Sequence, residues 1–340
     1  MASTLDIPNI RKLTLEMLLE IPQDKITTYR ALALALGDAI AVRAVGQIMA
    51  VNEQPDIYPC YKVVHSDGRV GGYSAPGGTS TKIEKLQADG IPIQNGCISN
   101  LSDHVFFQFE TSKPLIPLRK LQEELSERVV RNPIRREYQT IGGVDLSYDG
   151  PWIGVGAYVG MEIVSGRLLA SEIAQVEISF PYIPTYLAFR ELPVLLPLLE
   201  RVQAEDKLAD VIMVDGSGIL HPRHVGIASH LGVLLSVPTI GVTKTLLYGE
   251  VDFNDMKPKE VRSIIDPRSK ESIGAAVKTR ERADPIFVSI GHGIDLDTAV
   301  GLVLRLSHQR LPEPIQRAHL ASREAAHPRP GFQAQKALNF

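Results

Sequence analysis

Apolar residues recur along this chain in two rhythms, one of about three and a half positions and one of two. The helical rhythm dominates the amino-terminal part. Leu13 to Leu19 reads as a short helix that Ile21, Pro22, Gln23 and Asp24 break. Thr28 then caps a helix over Tyr29–Leu36, Gly37 ends it, and a second helix runs over Ala41–Val51. Two helices about a tight glycine turn form a helix-turn-helix pattern. From Ile93 to Pro117 the periodicity is interrupted by Gly96, Ser99, Asn100, Ser102, Pro114 and Pro117, so residues 96–117 are expected to be a linker. Helical spacing returns in Arg119–Arg131 with Leu121, Leu125 and Val129.

The second rhythm follows. Strands are expected over Thr140–Tyr148, Trp152–Val164 and Leu168–Val176, the last two parted by Ser165 and Gly166. Val211–Val214 is a short apolar run that drops into Asp215, Gly216, Ser217 and Gly218, as a buried strand feeding a turn does. A helix is expected next, with Pro222 in its first turn and Val225, Ala228 and Leu231 on one face. Another apolar run, Val237–Val242, ends at Thr243 and Lys244. Strand, helix, strand is a crossover unit, whose ligands gather beyond the carboxyl ends of the strands, where Asp215 and Lys244 stand. Beyond Leu311 no packing pattern continues, and residues 312–340 are expected to be a disordered tail. The fold class that follows is α/β: a small helical domain over residues 1–95, the linker, and a domain of strands and helices over 118–311, for which the second resemblance given below implies a mixed sheet.

Composition adds limits. A length of 340 residues suits two domains, and 44% hydrophobic content without a bilayer-spanning run suits a protein with sizeable cores and no membrane partner. The start of the chain lacks a basic segment followed by an apolar stretch, and Cys60 and Cys97 form no paired motif, so a cytoplasmic location is expected. A formal charge of -3 gives no basic footprint, so any nucleic-acid binding must depend on local patches.

Three acids stand out against their apolar surroundings. Asp145 lies between Val144 and Leu146 inside an expected strand, a costly place for a carboxylate without a partner or a cation. Glu191 has Leu187 and Leu195 four residues to either side, although Pro193 should kink or restart a helix there. Alone, Asp215 reads as a turn residue making local hydrogen bonds, and Glu191 as half of a salt bridge. Together the three suit magnesium, with manganese as the alternative: hard oxygen ligands that leave positions open for water and phosphate. Composition and spacing reach no further than a candidate metal site.

Two resemblances extend this. Thr28 with Tyr29, Arg43–Gly46, Asn52, Pro59–Val63, and Gly72 with Tyr73 occur in the order seen in the active-site domain of O6-alkylguanine-DNA alkyltransferases. The resemblance implies that Cys60 accepts an alkyl group from a flipped guanine and keeps it, once per protein molecule. It also implies that Arg43 fills the gap in the duplex, Tyr29 helps turn the base out, Asn52 braces the cysteine loop and Tyr73 belongs to the DNA-binding residues. Departures from the family pattern are Tyr61 for its histidine, Lys62 for its arginine and Asp89 for its glutamate. A reactive cysteine needs a nearby base or cation, and Lys62 is the candidate cation.

The second resemblance covers roughly Leu118–Arg310. GVDLSY, PYIP with FRE, VDGSG with HPRHVGIASHLG, TIGVTK and GHGIDL resemble the motifs of endonuclease V in order. It implies a ribonuclease-H-like fold and cleavage at the second phosphodiester bond 3′ to deoxyinosine. Asp145, Glu191 and Asp215 take the metal roles, His292 stands near the metal and the attacking water, and Lys244 stabilises the scissile phosphate. Tyr182, with Pro181, Ile183 and Pro184, matches a strand-separating wedge. Gly216, Ser217 and Gly218 would let backbone amides approach the base, with His221 on the same side. Ile290 and Gly293 depart from the family's last motif. His224, His230 and His308 carry no such argument. The expected partner is DNA bearing deoxyinosine or O6-alkylguanine, with inosine in RNA and a binding-only first domain as the alternatives.

Overall fold

A computed structural model describes residues 6–328. They form two compact units, one holding the chain up to Lys120 together with Ser179–Tyr186, the other holding Leu121–Ile178 and the chain from Leu187 onward.

In the first unit, α1 (Ile10–Glu16) starts at Asn9, whose side chain accepts from the Lys12 N–H at 2.8 Å. Thr28 belongs to a short strand β1 (Thr27–Thr28) and caps α2 (Tyr29–Ala35), accepting from the Ala31 N–H at 3.0 Å. Gly37, at φ +105°, turns the chain out of this helix, a conformation that side-chain-bearing residues avoid. A 3-10 turn over Ala39–Ala41 leads into α3 (Val42–Ala50), which buries Ala44, Val45, Ile48 and Met49. After the Cys60 loop, β2 (Val63–Val64) pairs in parallel with β1, and α4 (Gly78–Ala88) buries Lys82 and Leu86.

The expected linker is folded into this unit. Asn95 and Gly96, both at positive φ, make the tight turn of a hairpin between β3 (Ile93–Gln94) and β4 (Cys97–Ile98). Ile98 joins Ile26, Val64, Val70, Leu86 and Ile91 in one core. Past the single turn α5 (Leu101–His104), Phe106 N–H donates to Ile26 O at 2.7 Å. The residues that interrupt the apolar rhythm therefore shape turns between short paired segments. α6 (Leu115–Glu127) starts earlier than expected, because Pro117 falls in its first turn, where a missing N–H costs nothing. Tyr186 OH and Arg119 Nη2 both donate to Asp38 Oδ2 at 2.9 Å, and Arg11 N–H donates to Ser179 O, tying Ser179–Tyr186 into this unit.

The second unit is built on a sheet of eight strands: β5 (Thr140–Asp149), β6 (Ile153–Glu162), β7 (Leu168–Glu177), β8 (Val211–Asp215), β9 (Thr239–Thr243), β10 (Val261–Ile265), β11 (Ser272–Val277) and β12 (Ile286–His292). Their order is β10–β11–β12–β9–β8–β5–β6–β7. The β5–β8 and β8–β9 pairs are parallel and the others antiparallel, the expected mixed sheet. α7 (Leu187–Ala204) is continuous through Pro193 and Pro197. Packing outweighs the lost hydrogen bonds, since Val194, Leu195 and Leu198 lie where Cβ atoms on Gly154 and Gly156 of β6 would be.

Two expectations fail here. The helix after β8 begins at Ile227, as α8 (Ile227–Leu235), five residues beyond Pro222. Gly226 N–H donates to Gly218 O, and His224 sits at φ +52°, so residues 221–226 form a closed loop instead of a helical turn. The tail expected to be disordered from Pro312 is instead helical. After α9 (Leu296–Leu306), α10 (Glu313–Ala326) buries Pro314, Ile315, Ala318, Ser322 and Ala326. It rests on β5 so closely that a Cβ on Gly143 would stand 2.1 Å from Pro314 backbone atoms. The part of the expected tail beyond Pro328 lies outside the described residues. Among the described residues no helix is long and apolar enough to cross a membrane.

Candidate active sites

In the first unit Cys60 opens a 3-10 turn over Cys60–Lys62 and is 4% exposed. It lines a cavity of about 320 Å³ with Tyr29, Gly46, Met49, Ala50, Gly72, Tyr73 and Ser74. Cys60, Tyr29 and Tyr73 are thus brought together, while Arg43 stands exposed on α3 and does not line the cavity. Asn52 Nδ2 donates to Tyr58 O at 2.9 Å and its Oδ1 accepts from Gln54 N–H at 3.1 Å, bracing the approach to Pro59. Burial, then the Cys60 charge, raise the phenols of Tyr29 and Tyr73.

Lys62, the cation expected to serve Cys60, points elsewhere. Its Nζ donates to Pro22 O at 2.7 Å and Gln23 O at 3.3 Å and lies 3.5 Å from Asp89 Oδ2. Tyr61 OH donates to the same Asp89 oxygen at 2.9 Å.

In the second unit the parallel register sets Val144 beside Val214, so Asp145 and Asp215 follow one step later, level on adjacent strands about 4.8 Å apart. Paired residues share a face of the sheet, so the two carboxylates point the same way. Glu191 comes from α7, buried, and accepts from Tyr148 OH at 3.2 Å. Burial, then the charges of Asp145 and Asp215, push its carboxyl up to about 8. Burial and then Asp145 likewise raise Asp215, against the pull of Lys244, whose Nζ lies 3.3 Å from Asp215 Oδ2. Asp145, Glu191, Asp215 and Lys244 therefore sense one another electrostatically.

The imidazole beside these acids is His319, which the sequence did not single out. Its Nδ1 lies 2.9 Å from Asp145 Oδ2, and Ser322 Oγ donates to that oxygen at 3.1 Å. His292, expected near the metal, instead accepts at Nδ1 from Val130 N–H at 3.2 Å; burial, then the Arg128 charge, lower it. The signal for α10 was legible: Pro312 and Pro314 flank a helix start, and Ile315, Ala318 and Ser322 follow at helical spacing.

The glycine loop also differs from expectation. Gly216 N–H donates to Val242 O and Gly218 N–H to Ser289 Oγ, so neither amide points at a ligand. These glycines serve close packing, since Cβ atoms there would stand 2.2 Å from Ile227 and 2.0 Å from Ile290 O. Ser217 and His221 are buried, and His221 Nδ1 accepts from Arg223 N–H. Pro181–Pro184 belongs to the first unit, with Tyr182 42% exposed, Ile183 buried and Pro184 half-buried. Of the remaining histidines, His230 is buried, with Nδ1 against Gly226 O, and burial lowers it to about 4.

Among the described residues no three His, Cys, Asp or Glu side chains close a ligand sphere around an ion as they stand. The donor chemistry nevertheless fits a divalent cation. Asp145 and Asp215 offer hard oxygens at one level, Lys244 and His319 offset only part of what raises Asp215, and a magnesium ion is commonly held by one or two carboxylates with substrate phosphates completing its shell.

Asp145 within β5, Asp215 at the end of the parallel neighbour β8 and Lys244 beside it form the candidate site of the second unit. The endonuclease V family model matches residues 123–320, and the chain belongs to that family. Residues 9–91 match the 6-O-methylguanine DNA methyltransferase DNA-binding domain, so both resemblances read from the sequence hold. The chain is 35% identical over 273 residues to a bifunctional methyltransferase/endonuclease of Thermoplasma volcanium, covering 77% of this chain and 81% of that protein. It is 34% identical to one of Picrophilus torridus, over 88% of this chain and 91% of that protein. Endonuclease V of Ciona intestinalis, solved with a 24mer DNA containing an inosine followed by a ribo-adenosine, superposes with a TM-score of 0.58 at 29% identity. That likeness covers 63% of this chain and 98% of the Ciona chain.

Proposed function

We propose that this chain is a two-activity DNA-repair enzyme. Its second unit cuts a strand at the second phosphodiester bond 3′ to deoxyinosine, and its first unit takes alkyl groups from O6-alkylguanine onto Cys60. The observation that supports the nuclease half is the level pair Asp145 and Asp215, with Glu191 raised by burial and then by their charges. Asp145, Asp215 and Glu191 would hold a divalent cation, magnesium or manganese, which supplies charge neutralisation at the phosphate when bound. His319 and Ser322 fix the rotamer of Asp145, and Tyr148 fixes that of Glu191. Lys244 keeps a positive charge beside Asp215, where a phosphate oxygen would gain from it. Tyr182, exposed on a loop braced by two prolines, suits the wedge that fills the gap of a rotated base.

The transferase half rests on the half-open cavity around Cys60, large enough to admit an extruded base edge beside Tyr29 and Tyr73. One observation favours a binding-only reading of this half: the residue after Cys60 is a tyrosine turned to Asp89, so no imidazole stands there to take the thiol proton. Inosine in RNA is favoured as an alternative substrate by the ribo-adenosine in the DNA bound to the Ciona protein.

The experiment is direct. Full-length protein is given labelled duplex DNA carrying either deoxyinosine or O6-methylguanine, with and without magnesium. Cation-dependent nicking one nucleotide beyond the inosine, and label moved to the Cys60 peptide, are expected. Inosine RNA cut faster than inosine DNA would replace the first assignment, and an unlabelled Cys60 would replace the second.

A further inference from the structure

We propose that Lys82 is the cation that keeps Cys60 as a thiolate in this chain, an assignment that rests on the alkyl-transfer reading above. A thiol buried in an apolar cavity is a poor nucleophile unless positive charge or a base lies beside it. The neighbours that could act are few. Tyr61 donates to Asp89, and burial with that hydrogen bond holds its phenol far above its ordinary value, so it stays protonated and cannot accept a proton. Lys85 lies over the Tyr61 ring, 5.4 Å from its centroid, and pairs with Asp56 at 3.6 Å. The Lys62 charge is taken up by Asp89 and the carbonyls of the Pro22 turn. Tyr29 from α2 and Tyr73 from the loop after β2 line the cavity with Cys60 as neutral phenols; the His65 ring lies tilted by 56° against that of Tyr29, and Asp56 acts on Tyr73.

Lys82 remains. It enters from α4, is 1% exposed, and donates from Nζ to Val63 O at 2.7 Å and Gly72 O at 3.2 Å. Val63 closes the turn that Cys60 opens, and Gly72 lines the same cavity. Both partners are carbonyls, which orient an ammonium without cancelling its charge. A buried cation lacking a carboxylate is costly, and an anion nearby repays part of that cost. Burial draws Lys82 down to about 8, and the one charge that pulls it back up is that of Cys60.

In the reaction, Cys60 first gives its proton to solvent. The sulfur lone pair forms the S–C bond, and the C–O6 bond breaks with its electron pair moving to the purine. The purine takes one proton from water, and the alkyl group stays on Cys60 as a thioether.

The test measures carboxamidomethylation of Cys60 by iodoacetamide against pH in the full-length protein, the Cys60 and Cys97 peptides being resolved by mass spectrometry. Methyl transfer from O6-methylguanine DNA is measured in parallel. Lys82→Met is expected to move the Cys60 midpoint up by at least about one pH unit, slowing both reactions about tenfold or more at pH 7, with wild-type labelling recovered at high pH. Distortion of the loop would instead lower the plateau and leave the midpoint in place. Tyr61→Phe is expected to leave the profile unchanged. A Lys82→Met profile that overlays wild type, or shows only a lowered plateau, overturns the assignment. So does a Tyr61→Phe profile that shifts upward, and this second variant decides the matter if Lys82→Met does not fold. Wild-type protein that reacts with iodoacetamide but takes no methyl group would sink the transferase reading alone.

Discussion

The closeness of α10 to β5 makes Gly143→Ala a sharp perturbation. Gly143 lies two residues before Asp145 and touches no expected substrate. An added Cβ would stand 2.1 Å from the Pro314 carbonyl, against about 3.4 Å for an ordinary contact, so α10 would have to retreat by roughly 1.3 Å. The obstacle is backbone in the first turn of a helix, not a side chain that can swing away. Overpacking of this kind costs about 1–3 kcal/mol, or roughly 4–8 °C in melting temperature at about 2 kcal/mol for a domain of this size. A shift of that size also opens the 2.9 Å contact between His319 and Asp145 beyond hydrogen-bonding reach. The variant should therefore melt lower, lose amide protection in residues 313–326, and nick inosine DNA about tenfold more slowly, with cleavage position unchanged. Melting temperature and exchange both equal to wild type would mean that α10 is not seated on β5, and the role given to His319 and Ser322 would fall with it.

Other variants probe separate links. Asp145→Asn should cut nicking about a hundredfold or more while stabilising cation-free protein, because it removes the charge that adds to burial in raising Glu191 and Asp215; differential scanning fluorimetry with and without magnesium should show a cation-dependent rise in wild type that the variant lacks. His319→Ala should lower kcat for nicking with little change in KM, read from single-turnover and steady-state rates. Burial raises Asp210, but N–H bonds from Thr140 and Gln139 and the Arg135 charge outweigh it, so its carboxyl is held below the ordinary value. Its stabilisation is therefore present above the unfolded carboxylate value and lost as pH falls through the folded one; Asp210→Ala should cost about 2 kcal/mol at pH 7 in urea unfolding and flatten the acid limb. Asn52→Ala removes the 2.9 Å bond to Tyr58 O and should slow methyl transfer several-fold with a loss of about 1 kcal/mol in stability.

Local patterns were readable where a residue's role depends on near neighbours. Thr28 as a cap, Gly37 as a stop, the three antiparallel strands from Thr140 and the run into Asp215 each follow from a few adjacent side chains. The elements misread were those whose character is decided at a distance. Pro193 should break an isolated helix, yet α7 has β6 glycines beneath it and keeps its axis. The segment after Ile93 has little helical or strand rhythm of its own, and Ile26 and Phe106 pair its end with residues about eighty positions away. Glycines in the VDGSG motif suggested amides open to a ligand, but Val242 and Ser289 already accept those donors.

The choice of histidine shows the same limit most sharply. His292 stands in a motif, directly after a strand, where a site residue is expected. Nothing in that motif shows that Val130 N–H will take its Nδ1. His319 lies 174 positions from Asp145, on a helix whose start and spacing can be read but whose seat against β5 cannot. Yet the same sheet register that sets Asp145 on the face of Gly143 also sets it toward α10, since alternate residues of a strand point alike. Glycine at 143 admits the helix, the helix brings His319 and Ser322, and those two side chains orient the buried carboxylate. Three features that look unrelated along the chain thus act on one oxygen atom, and a change at any of them should be felt at the same phosphodiester bond.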